Sequence, residues 1–179
     1  MHHASDSSPG SRRFVKVLHW LNLGDCAAAR RELNEIEAKW SDYPRIIKLK
    51  WCICAFENQW YSALNWGRLL RRAIPQDATA WIQEAEALNA LGRTQESWEL
   101  LLPAAHVFKE EAAIPYLLAC YSGRLGCVDG AKQWLRKAVQ INPSIRMVFP
   151  LDGEPDLRCV FGGGGQQLLR EGWADLRNN

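Results

Sequence analysis

Residues 90–97 read Ala-Leu-Gly-Arg-Thr-Gln-Glu-Ser, and within them Gly92 is followed five positions on by the small residue Ser97. The same pairing returns as Gly24 with Ala29, Asn58 with Ala63 and Gly126 with Ala131, at a constant interval of 34 residues. A turn-forming residue and a small residue copied four times at one period predict a stack of helical hairpins. Each copy is too short to bury its apolar face alone and must lie against the next. The period divides the chain into blocks 10–43, 44–77, 78–111 and 112–145. Two helices of about 13 residues, each roughly 20 Å long, fill such a block with their turns. The small residue is expected to face the first helix, where a tiny side chain lets two axes approach. Leu33, Gly67, Leu101 and Leu135, then Ile36, Leu70, Ala104 and Ala138, follow it at four and seven residues. They share its face, which is expected to be buried. Nothing in 10–145 alternates at period two over the length of a strand, so no sheet is expected.

Local punctuation agrees with these boundaries. Pro44 falls where a first helical turn would begin, and its missing N–H is no loss there. Asp77 is placed to accept from the free amides at the start of the 78–91 stretch, and Thr94 is expected to do the same for the next helix. Gly24-Asp25 and Gly92-Arg93 supply tight turns between helices.

At 179 residues the chain is long enough to bury a stable core. A net charge of +2 and a pI near 8.2 are too mild to imply nucleic-acid or membrane binding. No span approaches 18 apolar residues, so no bilayer crossing is expected. Met1 to Pro9 is polar and no apolar run follows Arg12-Arg13, which predicts no secretory signal and a cytoplasmic location. The six cysteines, at 26, 52, 54, 120, 127 and 159, have no metal-ligand spacing. Cys52-Ile53-Cys54 on a helix sends its thiols to different faces, and most of the cysteines read as small hydrophobes. Of nine tryptophans, Trp20, Trp51, Trp81, Trp98 and Trp134 fall at or beside helix contacts and read as packing. Exposure of one of Trp40, Trp60 and Trp66 is left open.

The spacings resemble the tetratricopeptide repeat family, whose signature runs aromatic, Leu, small, aromatic, then Gly, Ala, aromatic or Leu, Ala and Pro. Trp81, Ala85, Leu88 and Gly92 carry the likeness in the third block, and Gly126, Ala131, Leu135, Ala138 and Pro143 in the fourth. The second contributes Ala63, Leu70 and Pro75. The chain departs from the signature at Trp51, which stands for a small residue, at Lys16, Lys50 and Glu84, which stand for Leu, and at Ser41, which stands for Pro. The resemblance implies an all-α fold, a right-handed α-α superhelix of stacked antiparallel helix pairs. The Ser-, His- and Asp-rich start predicts a disordered tail over 1–9, and the resemblance implies a closing segment over 146–179. In that segment Leu169, Trp173 and Leu176 form the stripe of a capping helix beyond the Gly162–Gly165 linker.

In this family the first helices of successive hairpins line a concave groove. By phase the first block contributes Phe14, Leu18, Leu21 and Asn22, and the second Arg45, Lys48, Cys52, Ala55 and Phe56. The third contributes Thr79, Ile82, Gln83, Glu86, Asn89 and Ala90, and the fourth Tyr116, Leu117, Cys120, Gly123 and Arg124. Such a mixed lining suits a peptide or protein segment, its backbone meeting Asn89 and Gln83 and its apolar side chains meeting Phe56, Ile82 and Tyr116. Some members clamp a C-terminal carboxylate with Lys and Asn, but Cys52 stands where the clamp needs Asn beside Lys48. Arg45, Lys48 and Arg124 remain candidates for attracting an acidic segment, against the ordinary reading of solvated charge.

The resulting expectation is a non-catalytic interaction scaffold, with no catalytic residue, metal or cofactor. The alternative in the same class is a cytoplasmic chaperone for a secreted or assembling client. An RNA-binding helical repeat is disfavoured, because basic residues do not recur at one groove position. His2-His3 in the tail, His19 and His106 far apart, and a glycine run lacking Lys-Ser/Thr carry no further chemistry. The sequence names neither the partner nor the oligomeric state.

Overall fold

The structure is a computed structural model that describes residues 9–40 and 44–145, with side chains placed from Phe14 to Ile36 and from Pro44 to Ile145. The tail over 1–8, the closing segment with its expected capping helix and Gly162–Gly165, Ser41 and Cys159 lie outside the described residues. Among the described residues there are eight helices and no strand. They are α1 (Pro9–Asn22), α2 (Cys26–Trp40), α3 (Pro44–Phe56), α4 (Trp60–Ala73), α5 (Ala78–Ala90), α6 (Thr94–Val107), α7 (Ala113–Arg124) and α8 (Val128–Ile141). Pro9, assigned to the tail by sequence, is the first residue of α1, where its fixed φ suits a helix start.

The 34-residue period is a period of backbone conformation. Gly24, Asn58, Gly92 and Gly126 take φ of +75°, +56°, +76° and +78°, the left-handed region that a Cβ makes costly for most residues. Three of them close their helix with one hydrogen-bond pattern. Asp25 N donates to Trp20 O at 2.9 Å while Gly24 N donates to Leu21 O at 2.9 Å. Gln59 with Asn58 and Cys127 with Gly126 repeat the pair on Cys54 and Ala55 and on Ser122 and Gly123. This double bond satisfies carbonyls that a helix end leaves open and reverses the chain within two residues.

The chain divides after Leu91 into two compact units. In the first, the α1/α2 and α3/α4 hairpins stack in order and α5 lies on α4. Phe14, Val17, Leu21, Ala29, Leu33, Ile36, Ile46, Leu49 and Ile53 form one buried cluster, with Trp20, Cys26 and Cys52 against it. Burial of each large aliphatic side chain contributes about 1.5–3 kcal/mol. Ile47, Leu70 and Ala80 form a second cluster with Trp66 and Ile74 against it. Ala29 and Ala63 are fully buried, as the shared-face argument requires.

At Gly67 the backbones of α4 and α5 approach closely. A Cβ there would meet Glu84 Cα at 2.9 Å and Glu84 N at 3.0 Å. Glu84, one of the departures from the repeat signature, is 4% exposed and receives Arg71 Nε at 2.5 Å, with Arg68 Nε at 3.6 Å. Arg71 also lies over the ring of Trp81, 4.9 Å from its centroid, and Trp81 Nε1 donates to Pro75 O at 2.8 Å. A buried carboxylate is tolerable only when paired, and two arginines from the preceding helix do so. Two of the other departures have local answers too. Lys50 Nζ sits 4.4 Å from the centroid of Trp66, and Lys16 faces Glu32 at 3.9 Å. Trp51 is buried among the helices, its indole N–H without a hydrogen-bond partner among the described residues.

The second unit holds α6, α7 and α8, with α7 packed on both others. Ser97 and Ala131 are fully buried, and Leu101, Ala104, Leu135 and Ala138 are buried beneath them. Trp98 Nε1 donates to Ser122 Oγ at 3.1 Å, tying α6 to α7. Thr94 is not the cap expected of it: it is the first residue of α6, and the cap position is Arg93, whose side chain makes no capping hydrogen bond. Arg93 instead grips Glu96 in the first turn, through Nε at 2.6 Å and Nη2 at 2.5 Å. Pro103 lies inside α6, on its exposed side, and the helix continues through it.

Tryptophan fills space throughout. Trp20, Trp60, Trp66, Trp81, Trp98 and Trp134 are half-buried, and no tryptophan among the described side chains is exposed.

Candidate functional site

In the first unit the first helices α1, α3 and α5 lie side by side, α1 touching α3 and α3 touching α5. Helical phase puts Arg45, Lys48, Cys52 and Phe56 on one line down α3, at offsets of three, seven and eleven residues. Arg45 and Phe56 are exposed and Lys48 and Cys52 half-buried. On α1 the corresponding strip holds Phe14, which is buried, and Leu18, which is 47% exposed. On α5 Ile82, Glu86 and Asn89 are half-buried, and Thr79 and Ala90 are at its two ends. Leu18 and Phe56, at 47% and 56% exposure, are large apolar side chains left in water on this face.

The charges on the face are arranged by its packing. Lys48 Nζ donates to Asp77 Oδ2 at 2.6 Å, while Asp77 Oδ1 accepts from Thr79 N at 2.8 Å as the cap of α5. Burial works to raise the Asp77 carboxyl, but the hydrogen bonds from Lys48 and Thr79 outweigh it and hold the group below its ordinary value. Lys48 therefore serves the start of α5, and its charge is matched within the unit. Arg45 is placed differently. Its guanidinium lies over the Phe14 ring, 4.8 Å from the centroid, and the residue is open to water. Burial, and after it the Glu86 carboxylate on α5, push the Cys52 thiol up, so it stays protonated near neutral pH.

Several expected groove residues are not on the surface, Phe14 and Leu21 on α1 among them. Gln83 is buried on α5, with its Oε1 unpartnered among the described residues. In the second unit Tyr116 is 1% and Cys120 3% exposed, and Gly123 is buried as well. Phase fixes the direction of these side chains but not what covers them, and as placed they offer a partner no area. Arg124 is exposed and Leu117 half-buried. The structure thus brings Arg45, Lys48, Cys52, Phe56, Ile82, Glu86 and Asn89 together in the first unit and leaves Gln83, Tyr116 and Cys120 in the interior.

Sequence reasoning missed the Phe14–Arg45 stack. The period placed α1 beside α3 but did not mark these two residues as partners. Elsewhere, Cys26, Cys52, Cys54, Cys120 and Cys127 take part in no disulfide. Among the described residues no group of three or more His, Cys, Asp or Glu stands together as metal ligands, and no helix is long and apolar enough to cross a membrane.

Solved structures with the same arrangement exist at low sequence identity. TTC0263, a thermophilic TPR protein of Thermus thermophilus, is 18% identical, with a TM-score of 0.68 over 94% of this chain and 95% of its own. The fold is that of a tetratricopeptide-like helical repeat. Two MamA structures share it. The MamA RS-1 ArsTM double mutant matches at 17% identity and TM-score 0.64, over 78% of this chain and 79% of that one. MamA MSR-1 C2 matches at 15% and 0.61, over 80% and 82%. No protein-family model and no curated protein matches the sequence. The likeness therefore fixes the helical-repeat fold, and the surface chemistry has to be read from this chain's own residues.

Proposed function

We propose that the protein is a non-catalytic scaffold that holds a peptide or protein segment on the face formed by α1, α3 and α5. The observation that carries this reading is the exposure of Leu18 and Phe56 beside Cys52 and Arg45. Large apolar side chains left in water on a face of stacked first helices are a surface waiting to be desolvated. The repeat fold supports the reading, because stacked first helices present a broad face built from rigid elements. The alignment of the candidate residues along one line of α3 supports it further.

Affinity capture from a lysate of the source organism tests the proposal with three forms of the full chain: wild type, Leu18→Ser with Phe56→Ser, and Tyr61→Ser. Tyr61 is exposed on α4, on the opposite helix layer, and serves as a control. Partners retained by wild type and Tyr61→Ser but lost by the double variant are the expected result. Partners that survive the double variant, or that depend on Tyr61 instead, would place the binding surface elsewhere.

A further inference from the structure

We infer that the occupant of this face is an amphipathic helix of another protein, carrying an Asp or Glu that meets Arg45 and bulky apolar side chains seven and eleven residues away that meet Cys52 and Phe56. The inference rests on the scaffold reading above and names the chemistry of its partner.

The charge argument begins with Arg45. A guanidinium stacked on an aromatic ring is held in place while its N–H donors stay directed outward, and those donors match a carboxylate in a two-pronged geometry. Among the described residues no carboxylate takes that place, whereas Lys48 spends its charge on Asp77. A partner's carboxylate is therefore directed to the Arg45 end and its apolar side chains to the other.

The spacing argument selects a helix. Cys52 and Phe56 lie seven and eleven residues along α3 from Arg45, roughly 10 and 16 Å at 1.5 Å per residue. A second helix running along α3 repeats that interval with residues seven and eleven apart, which share one face. An extended chain covers the same lengths in about three and five residues at 3.3 Å each. Its side chains at those offsets point away from the first, so a carboxylate on Arg45 would turn the apolar residues to solvent. Leu18, one turn along α1 from Phe14, adds an exposed apolar side chain on the neighbouring helix.

The test is a displayed library of randomised 15-residue segments panned against the full chain, followed by fluorescence anisotropy on blocked, fluorescein-labelled versions of the enriched peptides. The expected consensus is an acidic residue with aliphatic or aromatic residues seven and eleven positions away, and a helical dichroism signal on binding. Affinity should fall about tenfold on Arg45→Gln and on the peptide's own Glu→Gln, with the combined change no worse than either alone. Arg45 is exposed, so the variant should keep its helical content, and dichroism checks this. Peptides with no acidic preference, or binding unchanged by Arg45→Gln yet abolished by Leu18→Ser with Phe56→Ser, would overturn the inference and leave the scaffold reading standing. An acid-to-apolar spacing of even offsets, such as four and six, which share one face of an extended chain, would overturn the helix in favour of an extended segment. No enrichment, or peptides indifferent to Phe56→Ser, would overturn both.

Discussion

The two kinds of glycine in this chain are indispensable for different reasons, and substitution separates them. Gly24 takes φ +75° with nothing within 4 Å of a Cβ, so its constraint is conformational. Gly67 has ordinary helical backbone, and its constraint is the Glu84 main chain, 2.9 Å from a Cβ. Alanine in a helix interior normally gains about 1 kcal/mol over glycine, but a collision with backbone cannot be relieved by rotating a side chain. Gly67→Ala should therefore lower stability by about 1–3 kcal/mol in urea denaturation. Gly24→Ala should cost roughly 1–2 kcal/mol. Asparagine reverses the order: the chain itself uses Asn58 at φ +56°, so Gly24→Asn should be milder than Gly24→Ala, and Gly67→Asn worse than Gly67→Ala. The left-handed positions were legible because Gly and Asn are the residues that tolerate them and because they recur. Gly67 stood on the predicted buried face, yet nothing local announced that its neighbour was the backbone of Glu84, seventeen residues on.

Between elements, α5 is held by two electrostatic devices, one at its start and one along its side. At the start, Asp77→Ala removes the cap on Thr79 and the partner of Lys48, and should cost about 1 kcal/mol at neutral pH. The sign with acid follows from the depressed carboxyl. Because Asp77 titrates below its ordinary 3.8 in the folded chain, its contribution is complete above that value and lost as pH falls through the lower, folded one. Wild type and Asp77→Ala should differ in urea midpoint at pH 7 and draw together in acid; a gap that persists there would mean that charge is not its source. Along the side, the pairing of Glu84 with Arg71 and Arg68 is asymmetric, since the arginines reach water and the carboxylate does not. Arg71→Met should destabilise by about 3 kcal/mol, because it weakens the compensation of a buried charge. Glu84→Leu, which restores the residue type of the repeat signature, should be far milder, and equal losses in the two variants would refute this account. The start of α5 was legible in Asp77, whereas the start of α6 misled, because Thr94 has a capping side chain but stands one residue inside the helix. The arginine pair was illegible, since its acidic partner occupies a position where the repeat pattern demands Leu.

Across the whole molecule, period and phase carried the helix order and the direction of each face, while exposure depended on what the three-dimensional stack places over it. Two helices that are equivalent by period show the difference. On α1 the described buried residues are Phe14, Val17 and Leu21, and Leu18 stays in water. On α7 nine residues are buried, from Ile114 to Gly123, including Tyr116 and Cys120 at positions equivalent to Phe14 and Leu18. In a helical repeat, stability is a sum of local and nearest-neighbour terms, so opening free energy follows the local density of burial. Native-state hydrogen exchange should then rank the first helices, with α7 amides the slowest, α3 between, where six residues are buried, and α1 the fastest. The exposed strip of α1 and α3 would be the partner-responsive part of the surface: peptide binding there should slow exchange in α1 more than in α7, which has little left to gain. Uniform exchange along the chain would contradict the nearest-neighbour picture, and protection confined to α7 on peptide binding would move the site away from Arg45 and Phe56.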